Sequence, residues 1–145
     1  MLFRSGRGAL FYFSLDGFRD VVETFGFATG DAVLRLLGER LKAAVRPGDV
    51  AARVGADRFV VAAPDLAAEA DIQAFAARIA AILRAPLRFD DLDIELDPFA
   101  GVARYPDDGA HSELLLHRAD LALRAGIEDR TGRDAAVFGP SDWPV

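Results

Sequence analysis

VAARVGADRFVVAA, residues 50–63, is the most informative stretch of this chain. Its two apolar pieces, Val50–Val54 and Phe59–Ala63, are rich in the residue types that favour β-strands, and only the tetrapeptide GADR separates them. Two strand-like pieces joined by a short glycine-containing connection predict a tight β-hairpin. We expect the side chains of Asp57 and Arg58 at the tip of this hairpin.

Strands and helices are predicted on both sides of the hairpin. Ala9–Leu15 is an almost continuous apolar run, which is typical of a buried central strand. Apolar residues at helical spacing predict helices over 18–25, Thr29–Val45, Ala68–Leu83 and Ser112–Ala125. Further strands are predicted over Leu92–Leu96, Phe99–Tyr105 and Ala135–Phe138. Seven phenylalanines are expected in the core: Phe11, Phe13, Phe18, Phe25, Phe59, Phe75 and Phe99.

This order of elements predicts an α/β (α+β) layer fold with one central sheet. The length of 145 residues fits a single domain, 1–145, in which residues 139–145 form an irregular tail. An apolar fraction of 52% is sufficient for a sizeable core.

Composition and charge exclude several classes of function. The net charge of −6 argues against a nucleic-acid-binding face, which would need a basic surface. The chain has no cysteine and two histidines, so thiolate chemistry and a histidine-based zinc site are not expected. There is no apolar run of membrane-spanning length and no signal-peptide pattern, so we expect a cytoplasmic protein without membrane insertion.

Five sequence blocks, in order and at matching spacing, resemble the GGDEF (diguanylate cyclase-like) domain family. The similarity extends over roughly residues 9–138, nearly the whole chain. The blocks are FSLDGFR (13–19) with TFG (24–26) and GD (30–31), RPGD (46–49), RVGADRF (53–59), GVARYPDDG (101–109) and LLLHRADLAL (114–123).

This resemblance implies the GGDEF, nucleotide-cyclase-like fold: a central five-stranded mixed sheet flanked by helices, plus a hairpin that carries the signature motif. It also implies a reaction, in which two GTP molecules, each presented by one domain, condense to cyclic di-GMP. In the family, Mg²⁺ is held by the first aspartate of a DxD motif and by acids of the hairpin.

The chain departs from the family pattern at the positions of the metal ligands. The first metal aspartate falls on Ser14, whose neutral hydroxyl is a poor replacement for a carboxylate at Mg²⁺. The fourth letter of the signature is Arg58, a cation that repels a metal ion. Gly55 and Asp57 are kept, and the second glycine is Ala56. We therefore expect no Mg²⁺ site, no metal or other cofactor and no catalytic residues.

Part of the family's nucleotide-binding site remains. Asp16 and Asp31 match family aspartates, and the resemblance makes them remnants of that site. The asparagine that reads guanine falls on Val22, and the tyrosine and lysine of a later motif fall on Arg124 and Ile127. An alternative for the hairpin arginine is that its guanidinium holds phosphates directly, without metal.

The RPGD block matches the RxxD of the family's inhibitory site, which binds cyclic di-GMP. The resemblance assigns Arg46, Asp49 and Arg78 to this site. An arginine fork can donate to a guanine edge or a phosphate, and an aspartate can accept from guanine. A purely structural alternative stays open, in which Arg46 complements a helix dipole and Asp49 shapes a turn.

The sequence predicts a catalytically inactive GGDEF domain in cyclic di-GMP signalling, one that binds this nucleotide through RxxD. The alternative is a protein-interaction module, either a homodimer or a domain that docks on a regulated partner, with no nucleotide bound. A weak diguanylate cyclase is the third hypothesis.

Overall fold

The structure, a computed structural model, describes residues 6–128 and 137–138. In chain order the elements are β1 (Gly8–Asp16), α1 (Phe18–Phe25), α2 (Phe27–Ala44), β2 (Val50–Arg53), β3 (Arg58–Pro64), α3 (Glu69–Arg84), β4 (Leu87–Phe89), β5 (Leu92–Ile94), β6 (Asp97–Tyr105), α4 (Ser112–Glu128) and β7 (Val137–Phe138). None of the helices within these residues is long and apolar enough to cross a membrane.

Five of the strands form one mixed sheet in the order β2-β3-β1-β6-β7. The pairings are antiparallel except for that of β6 with β7, which is parallel. β1 lies at the centre, as predicted for the apolar run that it contains. The predicted α/β class and the five-stranded mixed sheet are confirmed.

A small hairpin, formed by β4 and β5, lies outside the main sheet. The predicted strand over 92–96 is therefore shorter than expected, and β4 was not predicted. Asp90 and Asp91 connect the two strands with positive φ angles. Strands of three residues are too short to show the alternation on which sequence-based prediction depends.

The predicted hairpin of residues 50–63 is confirmed, but it belongs to the main sheet and is not an addition to it. Arg53 pairs with Phe59, and the Val54 amide donates to the Arg58 carbonyl oxygen at 2.8 Å. Gly55 lies in the turn with φ 75°, a conformation that favours glycine. Because Arg58 is the first residue of β3, only Asp57 of the expected pair lies in the turn itself.

The two faces of the sheet are covered by different helices. Helices α1, α2 and α3 pack on one face, where Phe11, Phe13 and Leu37 are fully buried. Helix α4 covers the other face and comes so close to β6 that a Cβ on Gly101 would overlap the Ala119 carbonyl oxygen. The apolar layer between the sheet and helices α1–α3 therefore contains more buried residues than the layer between the sheet and α4.

The corner between α1 and α2 differs from the sequence-based expectation. Gly26 ends α1 with φ 94°, and α2 begins at Phe27, two residues before the predicted Thr29. The prediction that Phe25 is buried was wrong, because its side chain is exposed on the surface. Phe99 is half-buried and not fully in the core.

The C-terminal ends of α2 and α3 lie together, and each is capped by an arginine of the other helix. Arg40 of α2 donates to the carbonyl oxygens of Ala85 at 2.6 Å and Pro86 at 2.8 Å, just beyond α3. Arg78 of α3 donates to the carbonyl oxygen of Ala44 at 2.9 Å, the last residue of α2. Cations favour helix C-termini because unpaired carbonyl groups concentrate negative charge there.

Candidate functional site

The turn after α2 holds Arg46 and Asp49 in a two-point ion pair. The Arg46 guanidinium donates from Nε to Oδ2 of Asp49 at 3.1 Å and from Nη2 to Oδ1 at 3.0 Å. The backbone amide of Arg46 also donates to Oδ2 at 2.9 Å, and the Asp49 amide donates back to the Arg46 carbonyl oxygen at 3.0 Å. Gly48, with φ 93°, makes this tight reversal possible.

The carboxylate of this pair is buried and the guanidinium is open to solvent. The side chain of Asp49 is 2% exposed and that of Arg46 is 42% exposed. The hydrogen bond to Asp49 is the main reason why the pKa of Arg46 is raised above its ordinary value. The guanidinium therefore stays charged, and its orientation is fixed from the inner side.

Phe75 of α3 brings Arg78 to the same site. The guanidinium carbons of Arg46 and Arg78 lie 5.5 Å and 5.2 Å from the centroid of its ring. The ring itself is buried and packs on Phe11 of the central strand, with centroids 5.0 Å apart. Two arginines thus lie on one rigid aromatic platform, a contact that stabilises cations.

Both arginines keep hydrogen-bond donors that no described residue uses. Arg46 donates through Nε and Nη2 alone, to Asp49 and, at 3.4 Å, to the Pro64 carbonyl oxygen. Arg78 donates only through Nη1, to its helix-cap partner. The turn expected around Asp49 is present, but Arg78, and not Arg46, donates to the end of α2. Donors remain on both arginines for a ligand with carbonyl or phosphate oxygens.

Phe75 was not predicted as part of this site. Its apolar neighbours in the sequence suggested a core residue only, and it is indeed buried. One signal was available, since Phe75 lies three residues before Arg78 on a helix and such residues share a face.

The hairpin brings Ser14, Asp57 and Arg58 together at the end of the sheet. Ser14 of β1 lies directly opposite Arg58 of β3 and is mostly buried. Nε of Arg58 lies 3.7 Å from Oδ1 of Asp57. Asp16, two residues further along β1, is exposed and lies opposite Asp97.

This donor set does not suit Mg²⁺. Ser14 offers a neutral hydroxyl where the ion prefers charged oxygens. The Arg58 guanidinium lies beside Asp57, with Nε 3.7 Å from Oδ1, and its charge would repel a metal ion there. In the part of the chain that the structure describes, no three acidic or histidine side chains come together as metal ligands.

Arg58 points to the α4 side of the sheet, where its guanidinium carbon lies 5.9 Å from the centroid of the Tyr12 ring. Burial is the main reason why the pKa of Tyr12 is raised, Asp120 adds to the shift, and Arg58 and Arg124 oppose it. Arg124 is itself paired with Asp120 at 3.0 Å. Nη1 of Arg58, by contrast, is buried and has no hydrogen-bond partner among the described residues.

A cavity of about 350 Å³ lies between α1, α2 and the hairpin. Its wall includes Val22 and Asp31 from the helices, and Ala56 and Asp57 from the hairpin turn. The structure thus brings Val22 and Asp31, the positions that the resemblance assigned to nucleotide binding, together with two residues of the signature hairpin. Phe27, with 83% of its surface exposed, lines the same cavity.

Comparisons with known proteins agree with this fold. The family model for the diguanylate cyclase GGDEF domain matches residues 3–133. The cyclic di-GMP phosphodiesterase NbdA of Pseudomonas aeruginosa is 32% identical over 134 residues, which are 92% of this chain and 17% of NbdA. The crystal structure of the GGDEF domain of YfiN (TpbB) from P. aeruginosa is similar with a TM-score of 0.83 and 31% identity, over 94% of this chain and 83% of that domain.

A second solved structure is similar as well: the GGDEF domain of DgcB from Caulobacter crescentus in complex with c-di-GMP. Its TM-score is 0.75 at 26% identity, over 92% of this chain and 77% of that one. The chain spans between 16% and 27% of the length of the first curated relatives that it matches. Those relatives therefore contain further sequence outside the matched region.

Proposed function

Since the chain belongs to the diguanylate cyclase GGDEF domain family, a family of cyclic di-GMP signalling, we propose that it is a catalytically inactive member that binds cyclic di-GMP. The binding residues are Arg46, Asp49 and Arg78. Binding changes the contacts of the domain with a partner or with a second copy. A cytoplasmic location is part of this proposal.

The observation that carries the proposal is the pair of arginines over Phe75. Cyclic di-GMP offers guanine edges and two phosphates, which are acceptors for guanidinium groups. The inner edge of the Arg46 guanidinium is already hydrogen-bonded to Asp49, so the side chain loses little conformational freedom when its outer edge binds a ligand. Arg78 is held by its bond to the α2 end. A preorganised cationic surface of this kind suits a dianion.

We propose the absence of catalysis because Ser14 and Arg58 stand at two positions where the family has metal-binding acids. Phosphoryl transfer depends mainly on positioning and on neutralising charge at the phosphates. At 4 Å, like unit charges repel by about 4 kcal/mol at an effective dielectric constant of 20. A divalent ion beside the Arg58 guanidinium would meet a repulsion of that order or larger. Incubation with GTP and Mg²⁺ or Mn²⁺ is expected to give no cyclic di-GMP.

Calorimetric titration with cyclic di-GMP tests the binding site, and the chain provides a matched control. Arg46→Ala and Arg78→Ala are each expected to weaken binding by about tenfold or more, because each removes charge-assisted hydrogen bonds. Arg40→Ala also removes an arginine cap between α2 and α3, but the described arginines that lie over the Phe75 ring are Arg46 and Arg78. It should lower the melting temperature and leave the affinity within about twofold.

Two outcomes of this titration contradict the proposal. One is the absence of binding heat for the wild-type chain. The other is equal loss of affinity in Arg40→Ala and Arg78→Ala, which would make the effect one of helix packing.

The alternative is an interaction module without nucleotide, and Phe27 favours it. An aromatic side chain that is 83% exposed is a common anchor of protein interfaces. This alternative predicts self-association, or binding of a partner, that Phe27→Ala weakens and Arg46→Ala leaves unchanged.

A further inference from the structure

β2 is an edge strand whose outer side is unpaired. Among the described strands it pairs with β3 alone, at one end of the sheet. The Val54 amide donates towards β3, to the Arg58 carbonyl oxygen. The alternation of an antiparallel ladder therefore turns the amide and carbonyl groups of Ala51 and Arg53 outwards. A free edge of this kind is a template for another strand.

The groove beside this edge contains charged side chains without partners. It is a cavity of about 620 Å³ between α2 and β2. Within the part of the chain that the structure describes, five exposed charged side chains that line it make no ion pair: Asp31, Arg35, Glu39 and Lys42 of α2, and Arg53 of β2. The groove carries both signs of charge, so a partner that fits it carries both signs as well.

The charges of α2 are ordered so that the helix is complementary to its own antiparallel copy. From residue 31 to residue 42 the signs along the groove alternate: negative, positive, negative, positive. When two copies of α2 run antiparallel about a point near Leu37, Arg35 of each lies opposite Glu39 of the other. Asp31 then lies opposite Lys42. Two-fold symmetry gives this arrangement, because each residue pair occurs twice in a symmetric dimer.

We propose that the α2–β2 face is a docking surface for a second copy of this chain, which pairs β2 with β2 antiparallel and joins the two sheets. The symmetric register places Ala51 opposite Arg53 of the second copy, with the two-fold axis at Ala52. Both residues have outward backbone groups, so each such pair exchanges two hydrogen bonds. A two-fold axis perpendicular to the sheet keeps the two α2 helices side by side on one face. A strand of four residues supplies few hydrogen bonds, so the charges of α2 determine which partner is accepted.

This assembly differs from the one that the family's reaction requires, in which two domains present their GTP molecules to each other. In the β2–β2 register the two signature hairpins lie at opposite ends of the paired strands. Gly55 of each copy lies level with residue 49 of the other, so about six residues, or about 20 Å at about 3.3 Å per residue, separate the two turns. The dimer therefore keeps the two hairpins apart and does not depend on a bound nucleotide.

Sedimentation velocity of the chain without nucleotide tests the dimer, and two charge variants test its register. Arg35→Glu and Glu39→Arg each place like charges opposite each other twice, and each is expected to weaken self-association by about tenfold or more. An equimolar mixture of the two variants restores opposite charges at both positions, so it should dimerise as the wild type does. Arg124→Glu is the matched control, because it reverses one member of an i,i+4 pair, with Asp120, on α4.

The backbone pairing has a test of its own. Ala51→Pro removes an outward amide and no hydrogen bond to β3, and proline is tolerated at such an edge position. We expect this variant to weaken self-association by about tenfold or more, because the change occurs twice in the dimer. Thermal melting shows whether each variant is folded.

Three results would overturn the inference. One is a wild-type chain that remains monomeric, and another is a mixture of the two folded charge variants that does not dimerise. The third is self-association that Phe27→Ala abolishes and Ala51→Pro leaves intact, which would place the interface at the corner between α1 and α2. None of these measurements contains cyclic di-GMP, so the dimer and the proposed binding site can fail separately.

Discussion

Two guanidinium groups lie over aromatic rings near the two ends of β3, and they differ in what holds them. The Arg46 guanidinium, over Phe75, donates two hydrogen bonds to the buried carboxylate of Asp49 and one to Pro64, and the Arg46 backbone amide donates a further one to Asp49. Arg58, over Tyr12, has one loose acidic contact and a buried nitrogen with no hydrogen-bond partner among the described residues. In the first site the inner edge of the guanidinium is paired with a carboxylate, and its outer edge is open to solvent. The second has fewer acceptors, so the number of acceptors, and not the cation itself, separates the two sites.

The largest effect is expected from removing the acids that face the two arginines. Asp49→Ala removes the acceptor of three hydrogen bonds from Arg46, and we expect the free energy of unfolding to fall by about 2–3 kcal/mol. Asp57→Ala removes a loose surface contact and should cost less than about 0.5 kcal/mol. Urea unfolding of both variants gives these values. Equal losses would mean that the two ion pairs are alike, contrary to the comparison.

Most of the fold could be predicted from the sequence, since apolar spacing gives the helices and the long apolar run gives the central strand. What could not be predicted depends on register and on distant contacts. The orientation of Arg58 towards Tyr12 follows from its pairing with Ser14, and a shift of one residue would reverse it. Phe75 as a platform requires α2 and α3 to be docked first. Arg46, Asp49 and Arg78 were assigned to a site through the family resemblance, since spacing alone does not assign them.

A smaller effect, of opposite sign at the two sites, is expected when each arginine is replaced by an apolar residue of similar length. Arg58→Met removes a half-buried charge that has no hydrogen bond to a described residue, so stability should rise by about 0.5–1 kcal/mol. Arg46→Met leaves the buried Asp49 unpaired and should lower stability by about 2 kcal/mol. Thermal and urea unfolding without added nucleotide measure both. A loss of stability in Arg58→Met would show that this arginine is well paired in solution.

A third arginine extends the comparison to an acid that is exposed. Arg104 of β6 makes a two-point pair with Glu69 at the start of α3, with Nε–Oε2 at 2.9 Å and Nη2–Oε1 at 2.6 Å. The hydrogen bond from Arg104 is the main reason why the pKa of Glu69 is lowered. The geometry resembles that of Arg46 with Asp49, but the Glu69 side chain is 62% exposed. Solvent screening should therefore make this pair much weaker.

The sign of the pH dependence of the Arg104–Glu69 pair follows from the lowered pKa of Glu69. A carboxyl group with a depressed pKa in the folded state stabilises the fold above its unfolded pKa, about 4.3 for glutamate. That contribution is lost as the pH falls through the lower, folded value. Glu69→Gln should remove less than about 1 kcal/mol at neutral pH and flatten the stability curve below about pH 4.3. Urea unfolding from pH 7 to pH 3 tests this. An effect as large as that of Asp49→Ala would mean that two-point geometry, and not burial of the acid, determines the strength of these pairs.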